Sequence, residues 1–233
     1  MRRFICLCLY LFSLSTAGKS IGTEVSNSRS FPSLQSELPS LYSTKFSEGQ
    51  DYFAYQEPLN IPQRPDKKIL IQFFFDYDCR VCSAAQDILL FYSQIKHNKV
   101  IFEQYPVATP DNDFSATIFY LFNSLNVPEL SQALLFETEE KSHYTALSSI
   151  DRIRRWSSEH GVNVKEFDRV LRSAEVKEDV KNAVALTEEY GVFTFPYVVI
   201  GGKYVLTAST LYNDDYSMAV LDFLIDKIEQ EQN

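Results

Sequence analysis

The sequence predicts an α/β protein in which a helical subdomain is inserted after a strand–helix–strand unit. Three observations carry that expectation. KKILIQFFFDY, from Lys67, is too continuously apolar for an amphipathic surface element and reads as a buried central strand. CRVCSAAQDILLFYSQIK follows, with Ile88, Leu89, Phe91, Tyr92 and Ile95 at helical spacing and no proline or glycine between Cys79 and Lys99. KVIFEQYPVA, Lys99 to Ala108, then reads as a second strand, so the three elements make a right-handed crossover with a parallel strand pair.

The other elements follow in chain order. MRRFICLCLYLFSLSTAG opens with two arginines, runs apolar from Phe4 to Leu14 and ends in the small residues Ser15 and Ala17. The apolar stretch is shorter than the roughly 20 residues that span a bilayer, so 1–17 is expected to be a cleaved signal peptide. Residues 18–45 are serine-rich with scattered prolines and no sustained periodicity, as in a flexible segment. DYFAYQEPL, from Asp51, alternates like a strand. SATIFYLFNSLN, PELSQALLF, SIDRIRRWSSEH, VKEFDRVLRSA and KEDVKNAVALTEEYG carry apolar residues at three and four spacing and are divided at Pro128, the polar stretch around Glu139, Gly161 and Asn163. They are too many for a simple crossover, so 111–186 is assigned to the helical insert, with Trp156 in its core. YVVIGGKYVL is a hairpin pattern around Gly201 and Gly202, and YSMAVLDFLIDKIEQ, from Tyr216, is a closing amphipathic helix. The α/β domain therefore comprises 46–110 and 187–233.

With 233 residues, 45% of them hydrophobic, the chain can bury a substantial core, which excludes disorder throughout. A formal net charge of -9 and no block of Lys and Arg argue against nucleic acid as a partner.

Four uses are open to Cys79 and Cys82: a reactive dithiol, half a metal site, a structural crosslink, or two core residues. Of four cysteines, Cys6 and Cys8 leave with the leader, so a scaffold stapled by several disulfides is excluded. Zinc requires four ligands, and His97, His143 and His160 lie far off and at no metal-ligand spacing. A crosslink over so short a loop restrains little of the unfolded chain. After export, vicinal thiols either stay crosslinked or cycle. The residues favour a reactive dithiol and leave the inert crosslink open.

The order of elements, with Cys-x-x-Cys opening the first helix and Phe195-Pro196 entering the later hairpin, resembles the thioredoxin fold. The helical insertion and the leader make it similar to the periplasmic thiol:disulfide interchange proteins of the DsbA family. The resemblance covers about Phe46 to Glu231, and its most specific parts are FFDYDCRVC and GVFTFPYVVIGGKY, from Gly191. It implies a thiol-disulfide oxidoreductase in the periplasm that donates its disulfide to exported proteins with free cysteines. A membrane quinone-linked thiol oxidase, DsbB-like, would reoxidise it; no cofactor is implied, and a monomer is expected. It also implies that Pro196 is cis, lies against the cysteine pair, and exposes the backbone of Phe195 to an extended substrate. The residues support these roles: a thiol at a helix N-terminus is favoured as thiolate, so Cys79 is the exposed, attacking sulfur and Cys82 the sheltered, resolving one. Two alternatives stand beside this reading: a reductase or isomerase kept reduced by a membrane electron donor, and a redox-inactive binding module of the same fold.

The sequence departs from the family near the cysteines. Arg80-Val81 stands where the familiar oxidant has Pro-His, and Arg80 can favour a neighbouring thiolate. Phe73 occupies the place of a buried acid associated with proton transfer, with Gln72 on the opposite strand face. Asp76 and Asp78 crowd the site or cap the helix. Asp78, Arg80 and Val81 are therefore expected to tune Cys79, and the protein to be a weaker oxidant than Pro-His members.

Overall fold

In the computed structural model, which describes residues 46–61 and 64–232, the chain runs β1 (Phe53–Ala54), β2 (Ile69–Phe75), α1 (Cys82–Ile95), β3 (Val100–Pro106), α2 (Phe114–Ser124), α3 (Glu129–Glu137), α4 (Lys141–Leu147), α5 (Ile150–Glu159), α6 (Val164–Leu171), α7 (Ala174–Glu189), β4 (Tyr197–Ile200), β5 (Tyr204–Thr207) and α8 (Asp214–Gln232). The expected signal peptide, 1–17, and the serine-rich segment, 18–45, lie outside the described residues.

The strands form one sheet in the order β1-β5-β4-β2-β3, with β2 parallel to β3 and antiparallel to β4. All seven residues of β2 are buried. Successive side chains of a strand point to opposite faces, so an unbroken apolar run is stabilised only where both faces are covered. Ile69, Ile71, Phe73 and Phe75 join a core with Leu89 and Tyr92 of α1, Phe119 and Phe122 of α2, and Leu224 and Ile228 of α8. Phe74 faces the other way, into a smaller cluster with Tyr190, Tyr197, Val199 and Val205, against which Leu186 of α7 packs. At about 1.5–3 kcal/mol per buried large apolar side chain, β2 is the most heavily stabilised strand and a firm base for whatever follows it.

The insert shares the larger core. Ile153 and Trp156 of α5 and Phe167 and Val170 of α6 belong to the same cluster as Phe75. Two of its helices, α6 and α7, begin where side chains satisfy first-turn amides: Asn163 Oδ1 accepts the Lys165 and Glu166 N–H groups, and Ser173 Oγ accepts that of Val176. The β4–β5 turn has positive φ at Gly201 and Gly202, 56° and 68°, and closes with the Lys203 N–H on the Ile200 carbonyl at 3.0 Å. A Cβ on Gly202 would stand 3.0 Å from the Leu59 carbonyl oxygen.

Four elements differ from expectation. DYFAYQEPL yields only Phe53–Ala54, which pairs with the edge of β5 through Phe53↔Val205 and Ala54↔Tyr204. Helix α1 starts at Cys82, not Cys79; residues 79–82 form a turn in which the Cys82 N–H donates to the Cys79 carbonyl at 3.2 Å. The polar stretch around Glu139 leads into α4, which buries no residue fully and so writes no clear apolar stripe. α7 starts at Ala174, three residues ahead of KEDVKNAVALTEEYG.

Candidate active site

β2 ends at Phe75, and the chain reverses through two consecutive turns. In the first, the Asp76 carbonyl accepts the Cys79 N–H at 3.0 Å, and the Asp76 carboxylate accepts the Asp78 N–H at 2.7 Å. The second carries the chain from Cys79 into α1. Together they bring the two cysteines to a Cα–Cα separation of 5.4 Å, joined as a disulfide. Cys79 keeps 4% of its surface and Cys82 none. The thiol expected to be exposed is thus largely covered in this disulfide form, yet it is the one member of the pair that solvent reaches.

The cap of α1 is Val81, with no side-chain cap bond, so neither Asp78 nor Asp76 caps the helix. Asp76 caps the preceding turn instead. The first-turn amides of α1 lack side-chain acceptors and lie just beyond Cys79, where their partial positive charge favours a thiolate. Asp78, Arg80 and Val81 are exposed beside the disulfide, Val81 to 47%.

The helical insert fastens this turn from behind. Tyr77 is fully buried; its N–H donates to Ser115 Oγ of α2 at 3.1 Å, and its hydroxyl meets Ser131 Oγ of α3 at 2.8 Å. The Ser115 hydroxyl also hydrogen-bonds the Asp76 carboxyl, while burial pushes that carboxyl above the ordinary carboxylate range. Tyr144 of α4 lies near enough that Asp76 and Asp78, after burial, raise its hydroxyl further. Tyr77, Ser115, Ser131 and Tyr144 were not singled out by sequence reasoning, because residues that meet across the fold carry no local motif.

Phe73 is fully buried and stacks on Phe75 and Phe102, with centroids 5.7 and 6.1 Å away, so its position is wholly apolar. Gln72 faces the other side of the sheet, where its Nε2 donates to the Tyr190 hydroxyl at 2.9 Å.

The Phe195–Pro196 peptide is cis. Since Tyr197 pairs with Phe74, Pro196 falls beside Phe75, at the end of β2 from which the redox turn departs. The loop before it is open to solvent, Phe193 to 79% and Phe195 to 38%. One hydroxyl ties both ends of that loop: Tyr55 donates to the Tyr190 carbonyl at 2.7 Å and meets the Tyr197 hydroxyl at 3.1 Å. The fold thus brings Cys79, Cys82 and Pro196 to one end of the sheet, with Asp78, Arg80, Val81 and Phe195 around them. Among the described residues, no group of three or more His, Cys, Asp or Glu side chains is placed to hold a metal ion.

A disulfide at the strand-to-helix turn of such a sheet, level with a cis-proline, defines a thioredoxin-fold protein carrying a helical insert. No protein-family model matches the sequence. A Haemophilus influenzae protein described only as uncharacterized is 64% identical over 195 residues, covering 84% of this chain and 83% of its own. The thiol:disulfide interchange protein DsbA of Bordetella pertussis is 27% identical over 192 residues, covering 78% of this chain and 86% of its own. The crystal structure of Pseudomonas aeruginosa DsbA superposes with a TM-score of 0.68 at 22% identity, over 82% of this chain and 98% of that one. The chain thus has the fold of the DsbA structures, a thioredoxin-like domain with a helical insertion, and is similar in sequence to DsbA thiol:disulfide interchange proteins.

Proposed function

We propose that the protein is an exported thiol-disulfide oxidoreductase that introduces disulfide bonds into substrate proteins. The observation that carries this reading is the Cys79–Cys82 disulfide whose accessible surface belongs to Cys79 alone. A substrate thiolate attacks the Cys79 sulfur; the Cys79–Cys82 bond breaks, Cys82 leaves as thiolate, and a mixed disulfide joins substrate to Cys79. A second substrate thiolate then attacks the substrate sulfur of that bond, which closes the substrate disulfide and releases Cys79. Two electrons have passed to the protein. The last step is eased by a stabilised leaving group, since α1's first-turn amides and Arg80 favour the Cys79 thiolate. The chain at Phe195, beside Pro196 and open to solvent, would pair with an extended substrate, and Val81, exposed beside the disulfide, would supply apolar contact.

The leader directs the protein to the periplasm, where exported proteins with free cysteines are its substrates and a membrane quinone-linked thiol oxidase takes the two electrons back. The B. pertussis relative, a thiol:disulfide interchange protein, supports exchange with substrate thiols. The test is anaerobic incubation of the oxidised protein with a reduced, unfolded protein bearing two cysteines. One substrate disulfide should form per Cys79–Cys82 pair reduced, and none with Cys79→Ser. Full oxidation by Cys79→Ser, or a potential below that of thioredoxin in a thiol buffer, would overturn the reading; the latter would favour a reductase.

A further inference from the structure

We propose that Asp76 is a positioning residue of the redox turn, which sets the acidity of Cys79 through its buried charge and through the hydrogen bonds that shape the turn. The inference rests on the thiol-disulfide reading above. Only 5% of Asp76 is exposed, although it stands three residues before the reacting cysteine and next to the exposed Asp78. A buried carboxylate is costly unless hydrogen-bonded, and each bond Asp76 makes bears on the turn. Its carboxylate orients the Asp78 N–H at 2.7 Å and its carbonyl holds the Cys79 N–H at 3.0 Å. The Ser115 hydroxyl, which accepts the Tyr77 N–H at 3.1 Å, donates to the same carboxylate and ties the turn to α2. At Phe73, on the strand itself, there is no acid. The buried acid of this site lies instead within the turn.

The groups that face Asp76 define what its ionisation does. On its own turn these are Asp78 and the Tyr77 hydroxyl, from α4 Tyr144, and from α2 the neutral Ser115; Cys79 is joined to Asp76 through its N–H on the Asp76 carbonyl at 3.0 Å. Burial already holds the Asp76 carboxyl above the ordinary range. In the reduced protein a Cys79 thiolate is a second negative charge on the same buried turn, three residues from Asp76, and like charges so placed do not ionise independently. Cys79 and Asp76 therefore release their protons in two linked steps, and the charge on Asp76 holds Cys79 less acidic than the helix terminus alone would make it.

Asp76→Asn separates charge from shape, because the amide oxygen still accepts the Asp78 and Ser115 donors. The reduced variant should titrate Cys79 in a single step, by thiolate absorbance and by alkylation rate against pH. Its midpoint should fall by about half a unit to one unit, and the equilibrium with glutathione should shift roughly three- to tenfold toward the reduced protein. Asp76→Ala loses the acceptor as well, and should in addition speed alkylation of Cys82 as the turn opens. A merely structural role would lower the unfolding midpoint and leave titration and equilibrium in place. An Asn variant that is folded and titrates like the wild type would overturn the inference. Oxidation of the reduced two-cysteine substrate by the wild type is measured alongside. Its absence refutes the proposed function, whereas wild-type activity with an unaltered Asn variant refutes the role of Asp76 alone.

Discussion

Tyr55→Phe should weaken substrate capture without touching the chemistry of the sulfurs. The Tyr55 hydroxyl closes the base of the loop that ends in Phe195–Pro196, reaching the Tyr190 carbonyl at 2.7 Å and the Tyr197 hydroxyl at 3.1 Å. Burial first, then the contacts with Tyr197 and Tyr190, raise its pKa far above the usual phenol value, so it stays protonated and donates throughout the working range. Phenylalanine keeps the ring and removes the donor. A neutral hydrogen bond contributes about 1 kcal/mol net. The Tyr190 carbonyl keeps a weak alternative, the Tyr197 hydroxyl at 3.5 Å, which places the loss toward the lower half of about 0.5–1.5 kcal/mol. For a domain of this size that corresponds to a Tm lower by about 1–4 °C. If the whole of about 1 kcal/mol were felt in substrate binding, KM for a reduced peptide would rise about fivefold, since 1.4 kcal/mol is tenfold. Calorimetry and peptide-oxidation kinetics, the latter between about pH 5 and 9, would read both effects, and the ratio to wild type should not change with pH. A Tm and KM equal to wild type, or an altered Cys79 pKa, would show that the tie at Tyr55 does not hold the substrate loop.

In the reduced protein, alkylation should label Cys79 faster than Cys82; Cys79→Ser should abolish thiol oxidation and Cys82→Ser should accumulate mixed disulfides through Cys79, and the reverse labelling order would exchange the two roles. Asp78→Asn should lower the Cys79 pKa and Arg80→Ala should raise it, each by a few tenths of a unit that shrink in 1 M salt because both side chains are exposed; no change in either would leave the helix terminus and burial as the causes. With Asp78 and Asp76 opposing Arg80, the glutathione equilibrium should place the protein as a weaker oxidant than Pro-His family members and a stronger one than thioredoxin. Phe73→Ala should cost about 3–5 kcal/mol in urea unfolding, as the ring is fully enclosed. Because burial raises the Asp76 carboxyl in the folded protein, the native state holds that proton more tightly than the unfolded chain. The resulting stability is fully present below the ordinary carboxylate pKa and is lost as pH rises through the folded value, and urea midpoints from pH 3 to 7 should lose that slope in Asp76→Asn.

The sequence by itself determined the elements whose burial is periodic and the chemistry that sits in contiguous residues. β2 was legible because a strand covered on both faces is apolar almost throughout, and α1 because Ile88, Leu89 and Tyr92 are buried at helical spacing. Cys79, Cys82 and the Phe195-Pro196 step were legible as short motifs, and the departures at Phe73 and Arg80-Val81 could be seen against them. Where α1 begins could not be read, since Cys79 to Cys82 has helix-compatible residues and only the hydrogen bond from Cys82 N–H to Cys79 shows a turn there. α4 was invisible because it buries no residue fully. Only the tertiary structure decided how the redox turn is held. Ser115 and Ser131 come to Tyr77 from 38 and 54 residues away, and Tyr55 reaches Tyr190 across 135. A serine or tyrosine in such a place looks, in sequence, like any surface residue. Its role arises when the packing of α2, α3 and β1 around the end of β2 removes the water that would otherwise satisfy the same polar groups, so that each must find its partner within the protein.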